Sequence, residues 1–334
     1  MLNRNRTFQI IYLGAILLTL AGCGGSAHSP TENYTLIATN IKIPYWQSAA
    51  AGLKQAATEL GVRYEMVGPE NYNPQGQHEE FRRVLGRQAK PSGILVSASD
   101  AELLKGDIDA AIDLGIPVIA IDSDSPGSKR LFFIGTDNYR AGLTGGEIAA
   151  KRMQGKGNVV ILTIPGQANL AQRLRGYQDA FASRPQIKIV ETIDMKGDPS
   201  LAFDATKEIV TGGKIKADAF VCLEAQGCTE VAEVLERNNI TDKVVIAMDT
   251  DEDTLQRLKK GSITATIAQK PFTMSYVGLK MLDLLHHNKP ASLTANWAQD
   301  AHSPVPSAVD TGATLVTPEN VDAFLAQAAP AAKK

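Results

Sequence analysis

The chain has 334 residues, enough for two domains, and its 44% hydrophobic and 21% charged content is that of an ordinary globular protein with buried cores. A net charge of -2 argues against nucleic acid as the main partner.

Residues 1–22 read as a signal peptide. Arg4 and Arg6 form a basic start, and the apolar stretch 8–20 is too short to span a bilayer. The stretch ends Leu20-Ala21-Gly22-Cys23, similar to a bacterial lipobox, which makes Cys23 the expected lipidation point and mature N-terminus. The Gly- and Ser-rich residues 23–33 then form a tether.

From residue 34, apolar runs alternate with amphipathic stretches. A strand is predicted over 34–39 and a helix over 45–60, where Trp46, Ala49, Ala50, Leu53, Ala56, Ala57 and Leu60 keep helical spacing and Gly61 suits the helix end. A strand over 62–67, a helix over 75–89, a strand over 93–96 and a helix over 101–114 follow. The strand 117–121 stops at Asp122, and a short strand 131–134 precedes Gly135-Thr136-Asp137-Asn138. The pattern then restarts. Helices over 138–153, 169–183, 199–210, 229–237, 251–260 and 272–287 alternate with strands over 158–162, 187–193, 219–223, 244–248 and 263–268. This alternation calls for an α/β fold with parallel sheets and right-handed crossovers. Two successive runs call for two similar lobes, with a boundary near Asp137. Residues 326–334 form an Ala- and Lys-rich tail.

Catalytic and metal signatures are sparse. There is no Gly-x-Ser-x-Gly elbow and no Walker-type loop. The glycines Gly142, Gly145 and Gly146 lie inside a helical pattern and suit close packing better than phosphate binding. None of His28, His78, His286, His287 and His302 ends an inferred strand, and His286-His287 suits the negative end of a helix dipole. The series Asp249-Thr-Asp251-Glu-Asp253 starts like a calcium loop but has Thr254 and Lys260 where Gly and Glu are required. Asp122-Ser-Asp124-Ser-Pro-Gly127 fails at Phe133. No metal and no cofactor are expected. Asp251 and Asp253 read as helix-start charges. Cys222 and Cys228 are separated by a strand end and a helix start, so an extracytoplasmic compartment permits a disulfide whose geometry is left open.

What remains is a set of polar residues at strand ends: Asp122, Glu224, Asp249 and Gln269. Ligands of open α/β sheets gather at those ends. Arg173 lies on the first turns of one helix, and Tyr45 and Trp46 follow the first strand. Carboxylates, a guanidinium and an amide match sugar hydroxyls, and aromatic rings offer a face to the apolar side of a sugar ring.

On these residues the chain resembles the type I periplasmic sugar-binding proteins, the ribose-binding and lac-repressor-like group of ABC-transporter receptors. The resemblance covers about 34–316. It rests on Pro44-Tyr45-Trp46, Gly115-Ile-Pro117-Val-Ile with Ile121-Asp122, Gly135-Thr-Asp137-Asn138, Gln172-Arg173-Leu-Arg175-Gly176-Tyr177, Ala247-Met-Asp249 and Ala265-Thr-Ile-Ala268-Gln269. It implies two Rossmann-like lobes joined by three crossings, near 137–138, 269–271 and 296–300. The first lobe would comprise 34–137 plus 271–295, and the second 138–270 plus 296–325. It implies that Tyr45 and Trp46 sandwich a ring, and that Asp122, Arg173, Asp249 and Gln269 bind hydroxyls. Glu224 stands where ribose receptors carry Asn, Ser123 where they carry Arg, and Ile43 where they carry Asn, which argues against ribose as the ligand. Lys42, Gln167, Asn169 and Asp198 are loop residues placed to compensate.

The expected function is that of a monomeric, lipid-anchored extracytoplasmic receptor. It would close on a monosaccharide and deliver it to an ABC-transporter permease, without catalysis. The alternative is a receptor that senses a sugar or autoinducer for a membrane signalling protein. A secreted glycosidase using Asp249 and Glu224 ranks below both.

Overall fold

A computed structural model describes residues 28–29, 31–289, 300 and 302–328. The signal peptide, Cys23 and most of the crossing expected at 296–300 lie outside the described residues.

In chain order the elements are β1 (Asn33–Ile37), α1 (Pro44–Leu60), β2 (Arg63–Val67), α2 (Pro74–Gly86), β3 (Gly93–Val96), α3 (Ala101–Asp113), β4 (Val118–Ile121) and β5 (Phe133–Gly135). There follow α4 (Asn138–Arg152), β6 (Gly157–Thr163), α5 (Ala168–Ala182), β7 (Ile187–Asp194), α6 (Pro199–Gly212), β8 (Ala219–Cys222) and α7 (Gly227–Arg237). The chain ends with β9 (Val244–Met248), α8 (Glu252–Lys260), β10 (Ala265–Ala268), α9 (Pro271–His287), β11 (Ala308–Asp310), β12 (Thr314–Val316) and α10 (Val321–Ala328).

Two sheets result, ordered β11-β5-β4-β3-β1-β2 and β12-β10-β9-β8-β6-β7. They share one plan. The first strand of each lobe lies inside its second strand, and the order reverses between β1 and β3, and again between β6 and β8. That reversal opens a crevice at the strands' carboxyl ends. Pairing is parallel except for β12, which runs antiparallel to β10. The inner strands β3, β4, β8 and β9 are buried at every residue, so their sequences are continuous apolar runs. The edge strand β7 carries exposed Lys188 and Glu191, polar residues that discourage edge-to-edge pairing.

Local chemistry sets the helix ends. Pro44, Pro74, Pro199 and Pro271 occupy first-turn positions, where the missing N–H costs nothing. Asp100, Asp137 and Asp251 cap α3, α4 and α8 through their side chains. Gly61 closes α1 with φ of 72°.

α9 follows β10 of the second sheet, yet Met274, Leu279, Leu282 and Leu285 lie in the core of the first. The C-terminal assignment needs correction. The segment after residue 300 was expected wholly in the second lobe, but β11 pairs with β5 in the first sheet. The chain changes sheet between Asp310 and Thr314, through Gly312 with φ of 76°. β11 has three residues, Ala308 and Asp310 exposed and Val309 half-buried, and no apolar run, so only its partner strand defines it.

The helical glycines of α4 mediate close packing. A methyl at Gly142 would overlap the carbonyl of Arg173, and one at Gly176 would overlap the carbonyl of Tyr139, so α4 and α5 touch backbone to backbone. In thermal denaturation, Gly142→Ala is therefore expected to lose about 1–3 kcal/mol by overpacking. Gly106→Ala, within α3 with open space around it, is expected to gain up to about 1 kcal/mol. Equal effects at the two positions would contradict this packing.

Candidate ligand-binding site

A cavity lies between the lobes at the strands' carboxyl ends. The first lobe contributes Thr39, Asn40 and Ile43 after β1, Tyr45 and Trp46 from the first turn of α1, Tyr72 after β2 and Asp122 after β4. The second contributes Ile164 and Gln167 after β6, Asn169, Leu170 and Arg173 from α5, Gly197 after β7, Glu224 to Gln226 after β8, Asp249 after β9 and Gln269 after β10. The lobes touch across it. Tyr72 packs on the second core and leaves no room for a side chain at Gly197, and the Ala101 amide donates to the Gly166 carbonyl at 3.4 Å.

Asp122 and Asp249 end corresponding strands of the two sheets, β4 and β9, and both adopt left-handed backbone, with φ of 61° and 67°. Such a conformation costs a non-glycine residue energy and is retained where the surroundings enforce it, commonly at binding sites. The Asp122 carboxylate accepts from the Tyr45 phenol at 2.7 Å and from Ser97 Oγ at 2.8 Å. The Asp249 carboxylate accepts from Gln269 Nε2, 3.2 Å from each oxygen.

Arg173 is 1% exposed and is held on three sides. Its Nε donates to Asn138 Oδ1 at 2.9 Å, Nη1 to the Leu223 carbonyl at 2.6 Å and Nη2 to Gln269 Oε1 at 2.6 Å. A guanidinium has five N–H donors, so two remain for a ligand. Gln269 Oε1 also accepts from Thr136 Oγ1 at 3.0 Å. Gln269 lines the cavity, and its committed amide orients Arg173 and Asp249.

Burial raises the carboxyl pKa of Asp122 and of Glu224, against the pull of hydrogen bonds and Arg173. Asp249 is pushed up to about 7 by burial, which outweighs the attraction of Arg173 and Gln269. Burial, then the adjacent Asp122, raise the Tyr45 phenol. One guanidinium thus faces three carboxyls. This arrangement disfavours an anionic ligand and offers acceptors to a neutral molecule rich in hydroxyls.

All seven principal residues of the sequence reading, Tyr45, Trp46, Asp122, Arg173, Glu224, Asp249 and Gln269, line this cavity, as do Ile43, Gln167 and Asn169. Three others do not line it. Lys42 is exposed and pairs with Glu70 at 3.3 Å. Ser123 is buried behind Asp122. Asp198 caps α6 by accepting from the Ser200 amide at 2.9 Å, and its neighbour Gly197 takes the wall position. Tyr45 and Trp46 meet edge to face, with ring planes 78° apart, so the two do not form a parallel sandwich. The Tyr45 hydroxyl holds Asp122, and the Trp46 indole N–H donates to Thr39 Oγ1 at 3.0 Å. Glu224 lines the cavity together with Asp249, and its oxygens accept from the Gln226 amide at 2.9 Å and the Gly227 amide at 2.5 Å, closing the start of α7. Cys222 and Cys228 are disulfide-bonded, with Cα atoms 5.6 Å apart, and their bridge clasps the loop that carries Glu224, Ala225 and Gln226. Tyr72, Asn40 and Gln226 escaped the sequence reading because they lie in loops without periodicity. Asn138 stood in a quoted motif, but its role as a holder of Arg173 is visible only in three dimensions.

The raised Asp249 pKa has a stability consequence. Between its ordinary value of 3.8 and about 7, the folded chain keeps a proton that the unfolded chain releases. The sugar-free fold therefore loses stability as pH rises through that window. Asp249→Asn removes this loss, so in urea denaturation its stability relative to wild type is expected to rise by on the order of 2–4 kcal/mol between pH 5 and pH 8. A pH-independent difference would contradict the assignment.

The periplasmic binding protein domain model matches residues 34–290. The D-allose-binding periplasmic protein of Escherichia coli (strain K12) is 26% identical over 270 residues, covering 77% of this chain and 85% of that protein. The solved structure of AraP, an arabinose-binding protein from Geobacillus stearothermophilus, is 33% identical with a TM-score of 0.70, covering 88% of this chain and 99% of that one. GanP, a glucose-galactose binding protein from the same organism, is 28% identical with a TM-score of 0.78 over 86% and 98%. With two lobes of matching strand order, a cavity at their strand ends and a family match over most of its length, the chain belongs to the periplasmic binding protein family.

Proposed function

We propose that this chain captures one neutral monosaccharide between its lobes and presents the closed form to the permease of an ABC transporter. The observation that carries this reading is the pairing of Asp122 from the first lobe with Asp249 and Arg173 from the second around one cavity. A ligand bonded to both lobes is bound better by the closed arrangement than by an open one, so binding shifts the population toward closure. The resemblance to arabinose-, allose- and glucose-galactose-binding proteins supports an aldopentose or aldohexose as the ligand class. Glu224, clasped beneath the disulfide loop, is the residue we assign to discrimination among them.

We assign no reaction to the site. Its carboxyls serve as hydrogen-bond acceptors for sugar hydroxyls, and Glu224 is engaged by backbone amides. We place the protein outside the cytoplasm, held to a membrane through lipid on Cys23 and working as a monomer. Mass spectrometry of the N-terminal peptide tests the lipid assignment.

A thermal-shift screen over pentoses, hexoses and polyols identifies the ligand, since a molecule bound only by the folded state raises the melting midpoint. With the best ligand, Asp249→Ala is expected to lose affinity by on the order of 10²–10³-fold in calorimetry, because buried sugar hydroxyls lose their hydrogen-bond partner. Trp46→Ala is expected to lose about 1–2 kcal/mol of binding, the size of an aromatic contact. Unchanged affinity in Asp249→Ala would sink the site assignment, and a released product from labelled sugar would replace the receptor reading with an enzymatic one.

A further inference from the structure

Away from the cleft, four side chains with metal-ligating atoms converge where the chain enters β1. His28 and Glu32 precede that strand, and Asp283 and His287 lie one turn apart on α9. One ligand atom from each lies within 4.8 Å of all the others. His28 Nε2 is 2.8 Å from Asp283 Oδ1. His287 Nε2 is 3.1 Å from Glu32 Oε2 and 3.6 Å from Asp283 Oδ1. Sequence reasoning placed His287 only at a helix end. Folding adds the two residues from the other end of the chain.

The cluster has the outer contacts that fix metal ligands in place. The Ser29 amide donates to Glu32 Oε1 at 2.5 Å, leaving Oε2 toward His287. The Tyr34 phenol donates to Asp283 Oδ1 at 3.2 Å. Glu32 is 6% exposed, and two carboxylates meet here with little solvent between them. Two imidazoles with two carboxylates suit Zn²⁺, whereas Ca²⁺ and Mg²⁺ want oxygen alone. Tetrahedral zinc with bonds of roughly 2.0–2.1 Å keeps its ligand atoms about 3.4 Å apart, so side-chain adjustments of about an ångström close the set.

We propose that His28, Glu32, Asp283 and His287 form a structural Zn²⁺ site that pins the segment before β1 to α9. Cys23 lies five residues upstream of His28, so the ion fixes the point at which the tether leaves the folded body.

The test is calorimetric titration of ZnCl₂ into the full chain, carrying no polyhistidine tag, purified in detergent and stripped with EDTA. MgCl₂ serves as comparison. Wild type is expected to bind one Zn²⁺ saturably and no Mg²⁺. His28→Ala and His287→Ala are each expected to bind Zn²⁺ at least tenfold more weakly. His286→Ala, which removes a neighbouring ring outside the four, should bind as wild type does. Absence of saturable Zn²⁺ binding by wild type overturns the proposal whatever the variants do. Undiminished affinity in His28→Ala or His287→Ala overturns it as well.

Discussion

The buried guanidinium of Arg173 is the interaction on which the site depends. It is the charge that offsets Asp122, Glu224 and Asp249, each of which burial drives toward neutrality. Its three hydrogen bonds reach the start of α4, the end of β8 and, through Gln269, the end of β10. Two of those points adjoin places where the chain passes between sheets: Asn138 follows β5, and Gln269 precedes α9. The cation that meets the ligand is thus built on the segments that join the lobes. A charge so placed needs hydrogen bonds to be tolerated, and Arg173 has one at each nitrogen, to Asn138, Leu223 and Gln269, which leaves two N–H groups to be satisfied by a ligand.

The two strand-end aspartates make the corresponding contribution from each lobe. Their left-handed backbone turns each carboxyl off the line of its strand, and the cost is met by hydrogen-bond partners: Tyr45 and Ser97 at Asp122, and Gln269 and the Thr266 hydroxyl at Asp249. Similar lobes therefore offer similar acceptors to one molecule from two sides. The asymmetry lies in the remainder. The first lobe brings the aromatics Tyr45, Trp46 and Tyr72, and the second brings the charge and the disulfide-clasped loop.

Much of this was legible in the sequence for a simple reason. Strands covered on both faces are uninterrupted apolar runs, so the first polar residue after each run stands out, and that residue is where the sheet presents a ligand. Asp122, Glu224, Asp249 and Gln269 were found this way. The acidic series after β9 divided by the same logic, with Asp251 capping α8 and Asp253 pairing with Arg257. The reasoning failed where tertiary context decides. β11 has no apolar pattern and exists because β5 offers an edge. Tyr72 and Gln226 sit in aperiodic loops. Lys42 and Asp198 had suitable chemistry, but one faces solvent and the other caps a helix. The positive φ values of Asp122 and Asp249 carry little sequence signal, since aspartate tolerates that region better than most residues but adopts it only where the surroundings enforce it.

The central claim is that one sugar is held by both lobes at once. A crystal structure of the protein with the best ligand from the screen tests it most directly. The account predicts a single sugar within hydrogen-bond distance of Asp122, Arg173 and Asp249 together. A sugar bonded to one lobe alone, or seated outside this cavity, would contradict it.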